Sequence, residues 1–500
     1  MSNQPDYVMA YDCGTTSLKA GVFDSSGRII AEANETYPLH QPHPGWAEQD
    51  PDVLWEAVCR AGKRVLAASQ IDPRAIAAAV FVAPWKNIIP VTADGDVLRR
   101  SMIWLDSRAI EQAERLNQNA GFFVGTGQEY WPRLMWLKEN EPEVWDRADM
   151  IMGLNTYFKW RATGEFVTEP SDDFISSGKE AVQRQFSTIL ASAGLLQDLA
   201  KFPVCRPATE MVGTITGTAA TELGLAEGTP VFGGFGDLPA ITVGIGRARL
   251  GDLHIYLGTS SWLVNIVADR FASEATLHFA FDNSVDGAGF VIQTGCLAYD
   301  WAVAQLYHAE RQELGGKIAD LVNKEVEEIP AGSERLLATH WLNGELPPLA
   351  KNATGLFLNL TTSHDRRHMV RAVMESVCYT HRMNLERYLR TTGAERPDAI
   401  RVVGGGANSD PWMQMLADIL QIRIEVPEAP RYTGVMGAFY CAQVGLGNLE
   451  DYAAVSDVVR VQRAFLPNPD HRAVYDRLYS VYLRLLPALG NLYDDLNGRY

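Results

Sequence analysis

Apolar and polar positions in the first part of the chain predict strands that alternate with helices. Three short segments rich in β-branched and aromatic residues, separated by turn residues, are predicted as strands. These segments are residues 7–11, 18–23 and 28–34. Residues 51–69 carry apolar side chains at helical spacing, with Asp50 as N-cap and Pro51 at the first helical position. A continuous apolar run at residues 76–82 predicts a buried strand, and this alternation is typical of an α/β domain.

The second half of the chain repeats this alternation. Predicted strands occupy residues 253–257, 262–267, 289–294, 400–403 and 423–426. Predicted helices occupy residues 365–389, 410–420 and 433–444. A chain of 500 residues is too long to fold around a single hydrophobic core. We therefore predict two domains, residues 1–247 and residues 248–500, which divide at the glycine-rich stretch 244–251.

A turn built from glycine followed by hydroxyl residues occurs at the same place in both halves. The first copy is Gly14, Thr15, Thr16 and Ser17, and the second is Gly258, Thr259 and Ser260. Each copy lies between two predicted strands, where backbone N–H groups and side-chain hydroxyls can converge on an anion. One such turn is weak evidence, because turns between strands are commonly rich in these residues. Two copies predict duplicated halves that bind one polyphosphate between them.

Two carboxylates follow predicted strands in the first half. Asp237 comes after an apolar strand and several glycines, and it precedes a helix of small residues. An acid at such a turn projects into a cleft as a candidate catalytic group, whereas the structural alternative is the N-cap of a helix. Asp12 ends the first predicted strand, where it either holds Mg²⁺ against phosphates or forms an Asx turn.

A third glycine-rich turn ends a predicted strand and opens a helix. Its residues are Gly404, Gly405, Gly406, Ala407 and Asn408. Consecutive glycines with an asparagine suit a flat base or ribose lying on the backbone, and the alternative is a helix cap with a packing glycine. The dinucleotide fingerprint Gly-x-Gly-x-x-Gly fails because Ser409 stands at its last position, and the sequence contains no Walker-type loop.

Bulk composition argues against several classes of function. The net charge of −17 and the lack of a Lys/Arg-rich run argue against nucleic acid as a partner. The longest apolar run, residues 75–84, is too short to span a membrane. The six cysteines are scattered singly, and residues 1–6 form a polar lead without the features of a signal peptide. These features predict a cytoplasmic protein with reduced thiols.

These motifs, in this order, resemble the FGGY family of carbohydrate kinases. The resemblance covers nearly all of the chain and is closest to xylulokinase-like members. Further matching segments are residues 104–108, 130–140, 294–301, 355–359 and 434–438. The resemblance implies an α/β fold of two duplicated ribonuclease-H-like domains, as in actin-like ATPases, with an interdomain cleft. It also implies ATP and Mg²⁺ as cofactors and a small-molecule sugar or polyol as the substrate.

The family implies a role for each matching residue. Asp237 is expected to be the general base that takes the proton from the sugar hydroxyl, and Asp12 is expected to help hold Mg²⁺. The residues expected at the phosphates are Gly14, Thr15, Thr16, Ser17, Gly258 and Thr259. Those expected at the adenosine are Gly295, Gly404, Gly405 and Asn408. Asp106 is expected to reach the sugar, with Trp104 nearby.

The segment expected to contact the sugar departs from the xylulokinase pattern. Pro84, Trp85 and Lys86 stand where those enzymes usually carry Gln-Met-His, and Leu238 replaces a polar residue after the base. Lys86 either pairs with a sugar oxygen or an acidic substrate while Trp85 stacks on a carbon face, or it extends to solvent while Trp85 only packs. Because hydrogen-bonding groups are lost, we expect that D-xylulose is not the best substrate.

The leading hypothesis is an ATP-dependent kinase for a ketopentose or related polyol. A second hypothesis is an ATPase of the same fold without a sugar substrate, and a third is a sugar sensor with little kinase activity. The segment around Trp104 and Asp106 argues against the second. The presence of both Asp12 and Asp237 argues against the third, since a pure binder needs no base. The sugar, the phosphorylated hydroxyl and assembly as a homodimer remain open at this point.

Overall fold

A computed structural model describes residues 7–176, 178–269, 275, 277–281, 285–345, 352–428 and 430–498. The polar lead at residues 1–6 therefore lies outside the described residues. The chain divides into two compact units. The first comprises residues 1–248, 280–284 and 432–457, and the second comprises residues 249–279, 285–431 and 458–500. The predicted division into two continuous segments, 1–247 and 248–500, did not include this return of residues 432–457 to the first unit.

The first unit is built from alternating strands and helices. Its larger sheet contains β1 (Tyr7–Cys13), β2 (Ser17–Phe23), β3 (Ile29–Thr36), β5 (Ile76–Ala83), β11 (Met211–Thr214) and β12 (Pro230–Gly236). Its short strands are β4 (Glu48–Gln49), β6 (Ile89–Val91), β7 (Ser101–Met102), β8 (Met150–Met152), β9 (Val167–Thr168) and β10 (Val204–Cys205). Its helices are α1 (Pro51–Ser69), α2 (Ile110–Ala120), α3 (Tyr130–Asn140), α4 (Pro142–Arg147), α5 (Leu154–Thr163), α6 (Glu180–Ser192), α7 (Gly217–Leu223) and α8 (Asp237–Gly244).

The large sheet of the first unit has the strand order β11-β12-β5-β1-β2-β3. Strands β1, β2 and β3 form an antiparallel meander, and β5 and β12 run parallel to β1. The central strand β5 is almost continuously apolar because it is covered on both faces, as central strands of α/β sheets are. The carboxyl ends of β1, β5 and β12 therefore lie side by side at one edge of the sheet.

The second unit repeats this arrangement. Its strands are β13 (Leu253–Leu257), β14 (Ser261–Val267), β15 (Leu277–Ala280), β16 (Asp286–Ile292), β17 (Leu337–Thr339), β18 (Leu356–Leu358), β19 (Ala399–Val403), β20 (Arg423–Pro427) and β21 (Val461–Phe465). The helices between β16 and β20 are α9 (Cys296–Leu306), α10 (His308–Leu314), α11 (Ile318–Glu327), α12 (Arg366–Thr392) and α13 (Asp410–Leu420). Its large sheet has the order β15-β16-β14-β13-β19-β20-β21, with β19 and β20 parallel to β13. The shared meander and parallel strands confirm the predicted duplicated α/β fold.

Three helices close the chain, namely α14 (Thr433–Gly445), α15 (Val455–Val458) and α16 (Arg472–Asn497). Helix α14 packs in the first unit, where it crosses α8 at very short range. A Cβ at Gly244 would overlap the carbonyl oxygen of Thr433, and a Cβ at Gly437 would overlap that of Ala240. Glycine is required at both points because only the lack of a side chain allows this approach. The crossing holds the start of α14 against the end of α8.

Several predicted elements match the structure closely. Helices α1 and α13 have the predicted bounds, because a capping side chain precedes each helix and a proline stands within its first two positions. Strand β1 extends two residues further than predicted, so Asp12 lies within a paired strand and not in an Asx turn. The six cysteines form no disulfides, and three of them are buried. None of the described helices combines the length and the apolar character needed to cross a membrane.

Candidate active site

Asp12 lies near the carboxyl end of β1, opposite Lys19 on β2. Its carboxylate is 14% exposed, and Oδ2 lies 3.9 Å from Nζ of Lys19, which is 33% exposed. Burial raises the pKa of Asp12, and the Lys19 charge partly opposes that rise. A Cβ at Gly434, near the start of α14, would lie 2.6 Å from Cγ of Asp12. The carboxylate thus occupies a space that exists only because residue 434 has no side chain.

Asp237 is the first residue of α8, directly after the end of β12. The N-cap position belongs to Gly236, and Oδ1 of Asp237 accepts a 2.9 Å hydrogen bond from the Leu238 N–H. Burial raises the pKa of Asp237 to about 7, and the charge of Asp12 adds to the effect. Two carboxylates therefore share one poorly solvated region of the first unit, an arrangement that favours a bound cation.

An irregular strand end carries Asp237 to this position. The pairing of β12 with β5 shifts register between Phe232 and Phe235, and Gly234 adopts a φ of +71°. A Cβ at Gly234 would overlap the carbonyl oxygen of Phe81. Glycine is required at position 234 because the bulge needs a left-handed backbone conformation there, in close contact with the backbone of β5.

Buried polar side chains on α5 support the bulge. Lys159 donates from Nζ to the Gly233 carbonyl at 2.9 Å, and Asn155 donates from Nδ2 to the Phe81 carbonyl at 2.6 Å. Burial lowers the pKa of Lys159 to about 8. Ser171 accepts the N–H of Gly236 at 2.9 Å and donates to Glu169 at 2.6 Å. The residue before Asp237 is therefore held by a defined chain of hydrogen bonds.

The first glycine-hydroxyl turn joins β1 to β2, and side chains from other segments hold its carbonyl groups. Tyr37 donates its hydroxyl to the Gly14 carbonyl at 2.5 Å, and Gln49 donates from Nε2 to the Thr15 carbonyl at 2.7 Å. Trp104, 40% exposed, donates from Nε1 to Oγ1 of Thr15 at 3.1 Å. Because the hydroxyl oxygen of Thr15 accepts this bond with one of its lone pairs, the hydroxyl proton can point to an anion. Thr16 is exposed at the tip of the turn.

Replacing Tyr37 by phenylalanine is expected to loosen this turn. The variant loses the hydroxyl that fixes the Gly14 carbonyl, at a cost of about 1 kcal/mol. For the MgATP that the family resemblance leads us to expect at this turn, that loss corresponds to a rise of roughly fivefold in KM. Steady-state kinetics with MgATP as the varied substrate measure this change. An unchanged KM together with an unchanged Tm would contradict the assigned role of Tyr37.

Asp106 is fully buried and forms the centre of a charged cluster. Its carboxylate accepts hydrogen bonds from the Arg108 side chain at 2.6 to 3.0 Å and from the Ala47 N–H at 2.7 Å. The Arg108 guanidinium stacks 3.6 Å from the ring centroid of Trp46 and also contacts Glu48. Asp106 thus fixes the loop that presents Trp104. These contacts occupy the carboxylate that, from the family resemblance, was expected to reach the sugar.

Lys86 follows Trp85 on the loop after β5 and has a left-handed φ of +61°. Its ammonium group lies 2.7 Å from Oε2 of Glu129, and its N–H donates to Oδ1 of Asp172 at 2.8 Å. A Cβ at Gly236 would lie 3.3 Å from Cε3 of Trp85, so this ring packs next to the residue before Asp237. Lys86 therefore forms an ion pair with another residue of the chain. The sequence-based alternatives were contact with the substrate or extension into solvent, and neither included this pair.

The second glycine-hydroxyl turn joins β13 to β14 in the second unit. Thr259 is exposed, whereas the carbonyls of Gly258 and Thr259 accept the first N–H groups of α9. Gly295 is buried beneath this turn, where a Cβ would lie 2.9 Å from the Gly258 oxygen. The described contacts of Gly295 are thus with the turn, and its expected place at the adenosine stays a prediction.

A buried serine–histidine pair supports this turn. Ser261 donates its hydroxyl to the Tyr256 carbonyl at 2.5 Å and lies 2.8 Å from Nε2 of His381. Because the hydroxyl has a single proton, Nε2 of His381 must be the donor. Burial lowers the pKa of His381 to about 3, so the ring stays neutral and keeps this tautomer.

The third glycine-rich turn lies between β19 and α13. Gly404 has a φ of +97°, and a Cβ there would lie 2.5 Å from the Leu257 oxygen. Gly405 and Asn408 are exposed, and Nδ2 of Asn408 donates to the Gly405 carbonyl at 3.0 Å. A cavity of about 330 Å³ between α9, α10 and α11 is lined in part by Tyr299 and Ile318. Ser409 links the turn to α11 through a 2.7 Å hydrogen bond to Asn323.

Comparison with known proteins decides the family. Residues 7–244 match the model of the N-terminal domain of the FGGY family of carbohydrate kinases, and residues 253–446 match that of its C-terminal domain. The chain belongs to the FGGY family of carbohydrate kinases. It is therefore a sugar kinase, an enzyme that transfers a phosphoryl group to an alcohol.

Two curated relatives align with nearly the whole of this FGGY kinase. It is 28% identical to the L-xylulose/3-keto-L-gulonate kinase of Escherichia coli, over 97% of each chain. It is 27% identical to a xylulose kinase of Staphylococcus epidermidis, over 98% of each chain. The crystal structure of a gluconate kinase from Lactobacillus acidophilus shares the fold, with a TM-score of 0.84, 24% identity, and coverage of 98% of this chain and 99% of that one.

Sequence analysis of this FGGY kinase missed the residues that act through long-range contacts. Tyr37 and Glu129 are far along the chain from the turn or loop that they support, and Lys19 contacts Asp12 across a hairpin. The four-residue spacing of Asn155 and Lys159 could have indicated a shared buried polar face on a helix. The described residues contain no group of three or more His, Cys, Asp or Glu side chains suited to a metal ion.

Proposed function

We propose that this FGGY kinase transfers the terminal phosphoryl group of ATP to a hydroxyl of a ketopentose or related polyol. The observation that carries the proposal is the pair Asp12 and Asp237 at the carboxyl ends of parallel strands. The pKa of Asp237 is raised to about 7, which suits a group that must accept a proton near neutral pH. A general base of this kind contributes about 10²- to 10⁴-fold to the rate.

Asp237 is proposed to take the proton from the acceptor hydroxyl as that oxygen attacks the phosphorus. Its Oδ1 is oriented by the Leu238 N–H, and Gly236 is fixed by Ser171, so the carboxylate has a set position on a rigid helix start. The same proton is released to solvent after the sugar phosphate leaves. Phosphoryl transfer depends mainly on positioning and on neutralising charge, which this arrangement supplies without a covalent intermediate.

Asp12 is proposed to hold Mg²⁺, and the residues present fit that ion. Mg²⁺ uses few protein carboxylates and keeps waters and phosphate oxygens as its other ligands, so one carboxylate suffices. The raised pKa of Asp12 and its charge effect on Asp237 both indicate a site that a cation would stabilise. When bound, Mg²⁺ supplies charge neutralisation at the phosphates. The turn at Gly14–Ser17 is proposed to donate N–H and hydroxyl groups to phosphate oxygens.

The adenosine is proposed to bind at Gly405 and Asn408. Gly405 is exposed, and a Cβ there would meet no atom within 4 Å, so a flat base can lie on this backbone. The cavity between α9, α10 and α11, lined in part by Tyr299, Val303 and Ile318, is proposed to offer apolar surface for such a base. Gly258 and Thr259 remain proposed phosphate ligands, supported by the exposure of Thr259 at the tip of its turn.

The acceptor is proposed to lie against Trp85 and Trp104, near Asp237. Trp85 packs beside Gly236, and Trp104 contacts Thr15 of the phosphate turn. Asp106 is proposed to act through the loop it fixes, because its oxygens already accept bonds from Arg108 and Ala47. The loop after β5 differs from the Gln-Met-His of xylulokinases, so D-xylulose is still expected not to be the best substrate.

A substrate panel tests the proposed function. The purified chain is assayed for ADP release at fixed MgATP with D-xylulose, L-xylulose, D-ribulose, xylitol and further ketoses and polyols. ADP release that requires one of these compounds supports a kinase, whereas equal release without them would support an ATPase of the same fold. Binding of a sugar without turnover would support a sensor.

The raised pKa of Asp237 leads to a specific pH dependence. The protonated carboxyl cannot accept a proton, so kcat/KM for the acceptor is expected to rise with pH through a midpoint near 7 and then to level off. Because a nearby cation favours the ionised form, saturating Mg²⁺ is expected to move this midpoint to lower pH. Initial rates from about pH 5 to about pH 9 at two Mg²⁺ concentrations measure both effects. A profile without an acidic limb would contradict the proposal.

A further inference from the structure

Lys86 and Glu129 form a close ion pair beside the proposed acceptor position. Nζ of Lys86 lies 2.7 Å from Oε2 of Glu129, and their side chains are 17% and 28% exposed. The ammonium group also lies 5.7 Å from the centroid of the Phe174 ring. Both charges are therefore partly desolvated, which strengthens the interaction between them. They remain accessible enough to meet a ligand.

The backbone on both sides of this pair is held by one buried arginine. Arg133 donates from Nη2 to the Lys86 carbonyl at 2.7 Å and from Nε to the Glu129 carbonyl at 3.3 Å. The Lys86 N–H is fixed by Asp172, and Lys86 keeps its left-handed conformation. A non-glycine residue in this conformation is strained and persists where surrounding contacts determine it. The ion pair is thus built into the fold and is not a chance meeting of two surface side chains.

Glu129 is also restricted by the turn that precedes it. A Cβ at Gly125, whose φ is +150°, would overlap Cγ of Glu129. Glu129 stands directly before α3, where the helix dipole favours a negative charge. Its carboxylate is therefore held in place as the partner of Lys86.

The chemistry of this pair discriminates between neutral and anionic acceptors. A hydroxyl can donate to the Glu129 carboxylate or accept from the Lys86 ammonium group without breaking the pair. A substrate carboxylate that approaches Lys86 must displace Glu129 or lie beside it, and both arrangements leave a poorly solvated negative charge unpaired. Arg133 offers no substitute cation, because it is fully buried and its donors go to backbone carbonyls.

We propose that Glu129 is a specificity-determining residue that limits this kinase to neutral ketoses or polyols and excludes sugar acids. The proposal rests on the proposed function, since it concerns the acceptor of the same reaction. It concerns the selection between neutral and acidic acceptors. One relative is named for both kinds, L-xylulose, a neutral ketose, and 3-keto-L-gulonate, a sugar acid. In this chain the Lys86 ammonium group, which could otherwise receive an acid, is already paired with Glu129.

The wild-type protein provides the first test. Values of kcat/KM are measured by ADP release for L-xylulose, D-xylulose, D-ribulose and xylitol, and for D-gluconate and 3-keto-L-gulonate. We expect the best neutral compound to exceed both acids by at least about 100-fold, because an acid leaves a partly desolvated negative charge unpaired. A sugar acid within about tenfold of the best neutral compound would overturn the proposal. This test does not depend on the folding of any variant.

The second test separates Glu129 from Lys86. Glu129→Gln is expected to raise kcat/KM for D-gluconate at least about tenfold, because Lys86 becomes free to pair with the substrate carboxylate. The double variant Lys86→Met/Glu129→Gln is expected to lose that gain, since no cation remains. Glu139→Gln, which breaks the exposed pair with Arg115, is the matched control and should leave both activities unchanged.

The outcomes distinguish this proposal from the proposed function. Phosphorylation of neutral compounds by the wild type, with no gain on acids in a folded Glu129→Gln protein, would overturn the role of Glu129 alone. The Tm of each variant shows whether it is folded. No turnover of any compound by the wild type would reject the proposed function and this assignment with it.

Discussion

Asp237→Asn is expected to lower kcat by about 10²- to 10⁴-fold while leaving the affinity for MgATP close to the wild-type value. Asparagine keeps the size of the side chain and its acceptor toward the Leu238 N–H, but it cannot accept the substrate proton. Coupled measurement of ADP release gives kcat, and a direct binding titration with MgATP gives Kd. The separation of the two effects identifies a base, since a structural role would reduce both together.

A matched control is available for this substitution. Asp94 lies exposed in the turn after β6, so Asp94→Asn makes the same chemical change outside the β12–α8 junction. It is expected to retain wild-type kcat. The assignment of the base would fail if Asp237→Asn kept more than about a tenth of the wild-type kcat. It would also fail if the loss came only from weaker MgATP binding.

Gly434→Ala is expected to reduce activity almost as strongly, although it changes no polar group. The added methyl would overlap the Asp12 carboxylate, with its Cβ 2.6 Å from Cγ and 3.0 Å from Oδ1. Helix α14 cannot retreat to relieve the overlap, because Gly437 already touches the Ala240 backbone of α8. Asp12 must therefore move, and a displacement of about 1 Å at a reacting centre costs about 100-fold.

The Mg²⁺ dependence of Gly434→Ala tests whether the loss of activity comes from the proposed Mg²⁺ site at Asp12. If Asp12 holds the ion, the Mg²⁺ concentration for half-maximal rate is expected to rise by about tenfold. Gly490→Ala serves as control, because Gly490 lies inside α16 and a Cβ there would meet no atom within 4 Å. That change is expected to leave activity intact and to stabilise the helix slightly. An unchanged Mg²⁺ response in Gly434→Ala would contradict the role of Asp12.

Local sequence signals predicted much of the fold. Helix α1 has the predicted bounds because Asp50 and Pro51 define its start by contacts within a few residues. The glycine-hydroxyl turns also occur between paired strands as predicted, since turn composition is local. Asp12 and Asp237 were recognised as candidates because each follows an apolar strand, and the structure places both in the first unit.

Contacts between distant segments could not be predicted in the same way. Lys86 was expected to meet either substrate or solvent, and its partner Glu129 lies 43 residues further along the chain. Gly295 was expected at a ligand, yet its described contacts are with the turn at Gly258. The need for glycine at position 434 depends on Asp12, at the other end of the chain. The periodicity and composition of a short segment do not indicate which distant residue it will contact.

The return of α14 to the first unit matters for protein engineering. Residues 432–457 are encoded far downstream of residues 1–248, yet they complete the same body and provide the gap that Asp12 needs. A chimaera made from two homologous genes with a single crossover near residue 248 would combine α8 from one parent with α14 from the other. The two glycine contacts between these helices would then have to match between the two parents. Exchange of the second unit alone therefore requires two further crossovers, one on each side of α14.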